Sequence, residues 1–210
     1  MNNYTLDAES AKLADNINAR IETSGKYHGI ITRAEQTTST KGTSGVDFSF
    51  KSDSGESADY LTIWTHNKDG KQLMGFNTLM ALMTCLRVRE LNAENGEVEK
   101  YDSEQKKRVK VTVPLFKDLM NKPIGLLLQM EEYPKTQGGT GWKPTIFGVF
   151  DKDEFTASEI LSKVTKAEKL QKMVLSLKDR PLKGAAVQSS GAAPSDAGGA
   201  FAGFEDDIPF

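Results

Sequence analysis

Rings and cations recur at several places in this 210-residue chain. Tyr60 and Trp64 share one parity on an alternating stretch, while Leu61 and Ile63 take the other. In an extended strand that pattern puts both rings on one face and the aliphatic pair on the opposite, core-facing side. Trp142 sits in a Gly-rich stretch beside Lys143, with Lys135 across the same stretch. Arg33, Lys41 and Lys51 surround a Ser- and Gly-rich segment, and Lys106, Lys107, Arg108 and Lys110 form a basic run. Exposed rings stack on unpaired bases and cations follow the phosphates, so this set predicts contact with single-stranded nucleic acid. Plainer readings stand beside it. The rings are covered by neighbouring helices, Trp142 anchors its own loop, or the cations are solvated and the basic run is neutralised by the acidic stretch from Glu90 to Glu99.

Other chemistry has less to stand on. Asp151, Asp153 and Glu154 suggest a Mg²⁺-dependent nuclease, but acids just before a helix also complement its N-terminus. His28 and His66 are the only histidines, and neither lies in a motif with a Ser or Cys nucleophile. The glycine runs Gly42 to Gly45 and Gly138 to Gly141 lack the Gly-Lys-Ser/Thr ending of a phosphate-binding loop. Cys85 is the only cysteine, so no disulfide forms within the chain and no tetrahedral thiolate site can be assembled. The residues therefore predict no catalytic group, no metal ligand and no cofactor, and Cys85 reads as a small core residue.

Composition sets the frame. Charged residues make up 27% and hydrophobic ones 38%, which excludes wholesale disorder. No stretch reaches the roughly 18 apolar residues of a membrane span, and Met1-Asn2-Asn3-Tyr4 opens no signal peptide, so a cytoplasmic protein with no membrane partner is expected. The net charge of −2 is unevenly spread. Residues 181 to 210 hold Lys183 against Asp196, Glu205, Asp206 and Asp207, which leaves the first 180 residues at +1. So nearly neutral a body holds a phosphate chain only by gathering its cations on one face.

The elements that would position these groups can be read from periodicity. Leu6, Leu13, Ile17 and Ile21 predict an N-terminal amphipathic helix that ends at Ser24-Gly25. Strands are expected from Lys26 to Glu35, over Val46, Phe48 and Phe50, and over Tyr60 to Trp64, with Asn67-Lys68-Asp69-Gly70 closing the third. The period then shifts to helical from Lys71 to Leu86. Two short apolar runs, Ile124 to Met130 and Thr145 to Phe150, read as further strands. Three strands, a helix and two strands is the order of the five-stranded OB barrel. Between them, 87 to 114 reads as a β-arm, with Asn95-Gly96 as its hairpin turn and Val109, Val111 and Val113 alternating after it. Thr156 and Glu159 have capping-box spacing and start a helix predicted to continue until Asp179-Arg180-Pro181. From Lys183 to Gly203 the chain is nearly all Ala, Gly, Ser, Gln and Pro, a flexible tether whose reach is roughly 25 Å.

The last seven residues are Phe204-Glu205-Asp206-Asp207-Ile208-Pro209-Phe210. This ending resembles the C-terminal tip of bacterial single-stranded-DNA-binding proteins, which also follows a Gly- and Pro-rich linker. The resemblance implies that Phe210 enters an apolar pocket on a partner, that a basic group there pairs with the terminal carboxylate, and that Asp206 and Asp207 meet surrounding Lys and Arg. Such capture combines an aromatic anchor with long-range attraction. Tyr27 through Glu35, Lys41-Gly42-Thr43 and Glu131-Glu132-Tyr133 make the body, from about residue 25 to 160, similar to phage-encoded single-stranded-DNA-binding proteins of the OB type. The insertion and the downstream helix depart from the short bacterial domain, so that family's tetramer is not carried over.

The fold expected is thus mainly β, of the α+β kind: an N-terminal helix (1–24), an OB-type barrel (25–155) carrying a helix between its third and fourth strands and the 87–114 arm, a C-terminal helix (156–181), a linker (182–203) and the acidic tip (204–210). The function expected is sequence-tolerant binding of single-stranded DNA in replication, recombination and repair, with host or phage proteins recruited through the tip. Self-association into a homo-oligomer stays open, and the rivals are an adaptor or decoy that presents the tip without binding DNA, and the nuclease. One further expectation is that the bases hold the protein's own acidic tip until DNA displaces it.

Overall fold

Where β-branched and aromatic residues alternate with polar ones, the chain forms strands. The computed structural model describes residues 20–102 and 107–182. The expected N-terminal helix through Leu6, Leu13 and Ile17, the linker from Lys183, the tip Phe204 to Phe210, Lys106 and the Arg108 side chain lie outside that description.

Among the described residues the order is β1 (Gly25–Thr38), β2 (Ser44–Ser52), β3 (Ser57–His66), α1 (Met74–Cys85), β4 (Glu94–Asp102), β5 (Lys107–Leu115), a 3-10 turn (Lys117–Leu119), β6 (Pro123–Pro134), β7 (Thr140–Phe150), α2 (Ala157–Leu161) and α3 (Lys169–Ser176). All strand pairs in the seven-stranded sheet are antiparallel. The long β1 is its spine. It pairs with β2 along one edge, while on the other edge its first half pairs with β6 and Glu35 pairs with Leu115 of β5. The order β3-β2-β1-β6-β7 therefore runs as one ladder, with the β4-β5 arm branching from β1. Among the described residues no hydrogen-bonded pairing joins β3 to β7, so the ladder has an open seam between its ends.

The core lies inside this curved ladder. Phe48, Phe50, Leu61, Ile31, Ile124, Leu126 and Leu128 are essentially inaccessible, and α1 adds Leu79, Leu82 and Cys85. Burial of each large side chain contributes about 1.5–3 kcal/mol. Ile21, from the segment ahead of β1, is 2% exposed and joins the same core. A smaller cluster on the other face of β6 and β7 joins Leu127 and Phe150 to Leu170 and Met173 of α3. No helix among the described residues is long and apolar enough to cross a membrane.

Two local expectations need correction. Asn95-Gly96 is not the turn of the arm: it lies inside β4, with Asn95 opposite Pro114 and Gly96 opposite Val113. Gly96 answers to packing, because a Cβ there would sit 2.7 Å from Leu115 Cδ1. The helix expected from 156 to 181 is broken in two. Thr156 and Glu159 do form the capping box, but Lys163 takes φ +53° and ends the first piece. Glu159 then restarts the second, since its Oε1 accepts the backbone N–H groups of Glu168 at 2.7 Å and Lys169 at 2.9 Å.

Candidate nucleic-acid interface

Tyr60 owes its position to a β-bulge. Phe48 pairs with Leu61 and Phe50 with Ala58, so Asp59 and Tyr60 together face the single residue Ser49. Tyr60 adopts φ +60°, a left-handed conformation that costs a side-chain-bearing residue about 1–2 kcal/mol. In a regular strand two successive side chains point to opposite faces. Here Asp59 and Tyr60 are both exposed, Tyr60 to 69%. Ser49 faces a second bulge on its other side, where Thr32 is extra between Ile31 and Arg33.

The same region holds a network that alternation alone did not reveal. Arg33 donates to Ser49 Oγ at 3.2 Å, to Glu35 at 3.2 Å and to Asp47 at 2.5 Å. Its guanidinium carbon lies 5.8 Å from the centroid of the Tyr60 ring, within cation–π range. Thr62 Oγ1 donates to Asp47 at 2.6 Å, and Lys100 Nζ of the arm donates to Glu35 at 2.6 Å. The arm thus leans back onto β1. Burial raises the Asp47 carboxyl, opposed by the Thr62 hydroxyl and the Arg33 charge, and the net direction is up. Two acids and two bases balance here, so this face has little charge left over for phosphates.

The seam between β3 and β7 opens into a cleft of about 330 Å³. Ile21, Ala58, Met130 and Pro144 give it apolar walls, and Tyr60, Tyr133 and Trp142 bring rings. Arg20 and Lys143 contribute positive charge, and Glu22 and Asp59 negative charge. Trp142 stands on β7, opposite Glu132, and is 47% exposed. Lys143 Nζ lies 5.8 Å from the centroid of the Tyr133 ring. The β6–β7 loop is closed by Gly138 and Gly139 at φ +89° and +77°, a pair of left-handed residues that glycine adopts without steric cost. Lys135 lies over the start of β7, with its Cε 2.9 Å from where a Cβ on Gly141 would be.

Of the ring and cation candidates, the structure brings Tyr60, Trp142 and Lys143 to this one cleft. Trp64 shares the outward parity of Tyr60, but it is half-buried and its ring covers Gly45, with Cε3 2.9 Å from an added Cβ. Lys41, Lys51 and Lys107 are exposed elsewhere and do not line the cleft. In the arm, Glu99 stands directly opposite Lys110. Tyr133, which the sequence singled out only within a resemblance, and Asp59 were not among the expected site residues, yet both line the cleft. The first could have been found from its cross-strand partner Gly141, the second only from the bulge register.

The described chain leaves this region at its C-terminal end. Arg180 forms a parallel bridge with Glu131, and the Leu182 N–H donates to Glu132 Oε2 at 3.0 Å. The Thr140 hydroxyl and that Leu182 N–H hold the Glu132 carboxyl below its usual range. Leu182, the last described residue, therefore lies beside the strand pair bearing Trp142.

A second hollow, of about 270 Å³, lies beside Arg87, Asp151 and Glu159. Asp151 Oδ1 accepts the N–H groups of Asp153 at 3.0 Å and Phe155 at 2.9 Å, and Oδ2 faces Arg87 at 3.3 Å. Among the described residues no group of three His, Cys, Asp or Glu side chains is placed to hold a metal ion. Cys85 is buried among apolar groups, which pushes its thiol up to about 12. No protein-family model matches this sequence, and no curated protein matches it.

Proposed function

We propose that this protein binds single-stranded DNA without a fixed sequence, on an OB-type body, and recruits replication, recombination or repair proteins through its acidic tip. The observation that carries this reading is the convergence of Tyr60 and Trp142, from strands far apart in the chain, on one solvent-open cleft beside Lys143. Rings presented in this way stack on bases irrespective of sequence, each worth about 1–3 kcal/mol, and neighbouring cations follow the backbone. The ladder β3-β2-β1-β6-β7, with α1 after its third strand, supports the OB-type assignment, since it has the pairing order of such a barrel opened between its end strands. The ending Phe204 to Phe210 supports recruitment through its resemblance to the bacterial tip, and the likeness of the body points to a phage source acting in the host cytoplasm. The reading requires no catalytic step and no cofactor.

A non-binding adaptor is the second reading, and one observation favours it: Glu22 and Asp59 share the cleft with Arg20 and Lys143, while Arg33 is engaged by Asp47 and Glu35. Titration of tryptophan emission with oligo-dT separates the two. Quenching that weakens as salt rises is the result expected, and unchanged emission with no binding assigns the chain to the adaptor class. The same titration with Mg²⁺ tests the nuclease alternative, for which the oligonucleotide would be shortened.

A further inference from the structure

We infer that the cleft between β3 and β7 takes a single unpaired nucleobase and prefers one that carries an exocyclic amino group. This rests on the DNA-binding reading above and adds a selectivity that stacking alone does not provide.

The argument starts from the bulge. A left-handed tyrosine is a costly conformation for a strand, and such outliers persist where the surrounding structure demands them. What this one achieves is specific. It leaves Tyr60 and Asp59, adjacent in sequence, both exposed and both lining the cleft. Arg33 holds Tyr60 from one side at 5.8 Å, and the ring nevertheless keeps 69% of its surface open. Trp142 stands on the facing strand, also lining the cleft. β3 and β7 do not pair here: the segment ahead of β1 bridges the start of β3 instead, with the Ile21 N–H donating to Ser57 O at 2.9 Å, and Pro144, which has no N–H to offer a neighbouring strand, lies on the β7 side. At about 330 Å³ the cleft is at the lower end of the range that accommodates small ligands.

Charge selects the base. An ionised carboxylate only accepts hydrogen bonds, and two acids, Asp59 and Glu22, line the cleft. Cytosine N4 and adenine N6 each offer an amino group with two hydrogens that the two acids can share, whereas thymine offers only its N3–H, flanked by O2 and O4, which repel a carboxylate. Arg20 and Lys143, which line the same cleft, are placed for the phosphates that flank the inserted base. Stacking then supplies affinity, and the acids supply discrimination.

The test uses the full chain and three oligonucleotides: oligo-dT, the same strand with one central dC, and that strand with N4,N4-dimethyl-dC, which keeps the ring and loses both amino hydrogens. The dC strand should bind about five- to tenfold more tightly than the other two. In the double variant Asp59→Ala, Glu22→Ala, which leaves neither side chain an acceptor, the dC strand should lose that advantage while all three strands still bind. Equal affinity for all three in the unaltered protein would overturn the inference and leave the DNA-binding reading intact, as would a preference that survives in the double variant. Failure of every strand to bind would overturn both.

Discussion

Arg33 donates Nη2–H to Asp47 Oδ2 at 2.5 Å, with the two side chains only 12% and 11% exposed. A residue whose type suggests a phosphate contact is thereby engaged by two carboxylates, because Glu35, 10% exposed, takes Nη1 at 3.2 Å. Removing one member of so covered a group leaves the opposite charge buried and unpaired. Arg33→Ala should therefore lower stability by about 3 kcal/mol in urea unfolding. Arg33→Lys should recover only part of this, since an ammonium cannot fork between acceptors as a guanidinium does. A loss below about 1 kcal/mol together with a shallower salt dependence of DNA binding would return Arg33 to the phosphate-contacting group.

The two tryptophans should separate cleanly. Trp142 is 47% exposed at the cleft, whereas Trp64 is half-buried against Gly45. Trp64→Phe, which leaves Trp142 as the only reporter, should keep most of the quenching by acrylamide and by oligo-dT. Trp142→Phe should lose most of both. If the Trp64 reporter responded as strongly, bases would be lying on the outer face of β3 instead of in the seam.

Glu159 sets the acid limit of the C-terminal segment. Burial pushes its carboxyl up, but the N–H groups of Glu168, Lys169 and Thr156 and the Thr156 hydroxyl outweigh it and bring it down to about 2 from an ordinary 4.5. A carboxyl depressed in the folded state stabilises fully above its unfolded value, and that contribution fades as pH falls through the folded one. Stability should thus drop between about pH 4.5 and pH 2. Glu159→Gln should cost about 2 kcal/mol at neutral pH and flatten this acid limb. Thermal melts across that range check it, and an unchanged slope would remove Glu159 from the account.

Leu182, the last described residue, donates its N–H to Glu132, which stands opposite Trp142. A flexible coil of 21 residues, the length from Lys183 to Gly203, would have an r.m.s. span of roughly 25 Å. If the tip competes with DNA for the cations there, deletion of Phe204 to Phe210 should tighten oligo-dT binding, most visibly at low salt. An unchanged affinity at roughly 20 mM salt would rule out this competition.

Much of the fold was legible because its signals are local. The alternation of Val46, Phe48 and Phe50, the Asn67 to Gly70 turn, the helical period between Lys71 and Leu86 and the Thr156–Glu159 box each involve residues a few positions apart, and the helix forms within its expected span, at Met74–Cys85. The helix expected to run on to Asp179 failed at Lys163, where Glu159 draws the chain into a second start that periodicity does not encode. Asn95-Gly96 failed for a related reason, since only the approach of Leu115 explains a glycine there.

By itself, the sequence determined a β-rich body with one helix after the third strand, an inserted arm and a set of ring-bearing and cationic residues. Tertiary structure decided which of those groups act together. Tyr60 and Trp142 line one cleft because β3 and β7 end up as the two ends of one ladder, and Arg33 is withdrawn because Asp47 and Glu35 reach it from its own sheet. Strand formation depends on neighbours in the chain, whereas register, bulges and ion pairing depend on neighbours in space.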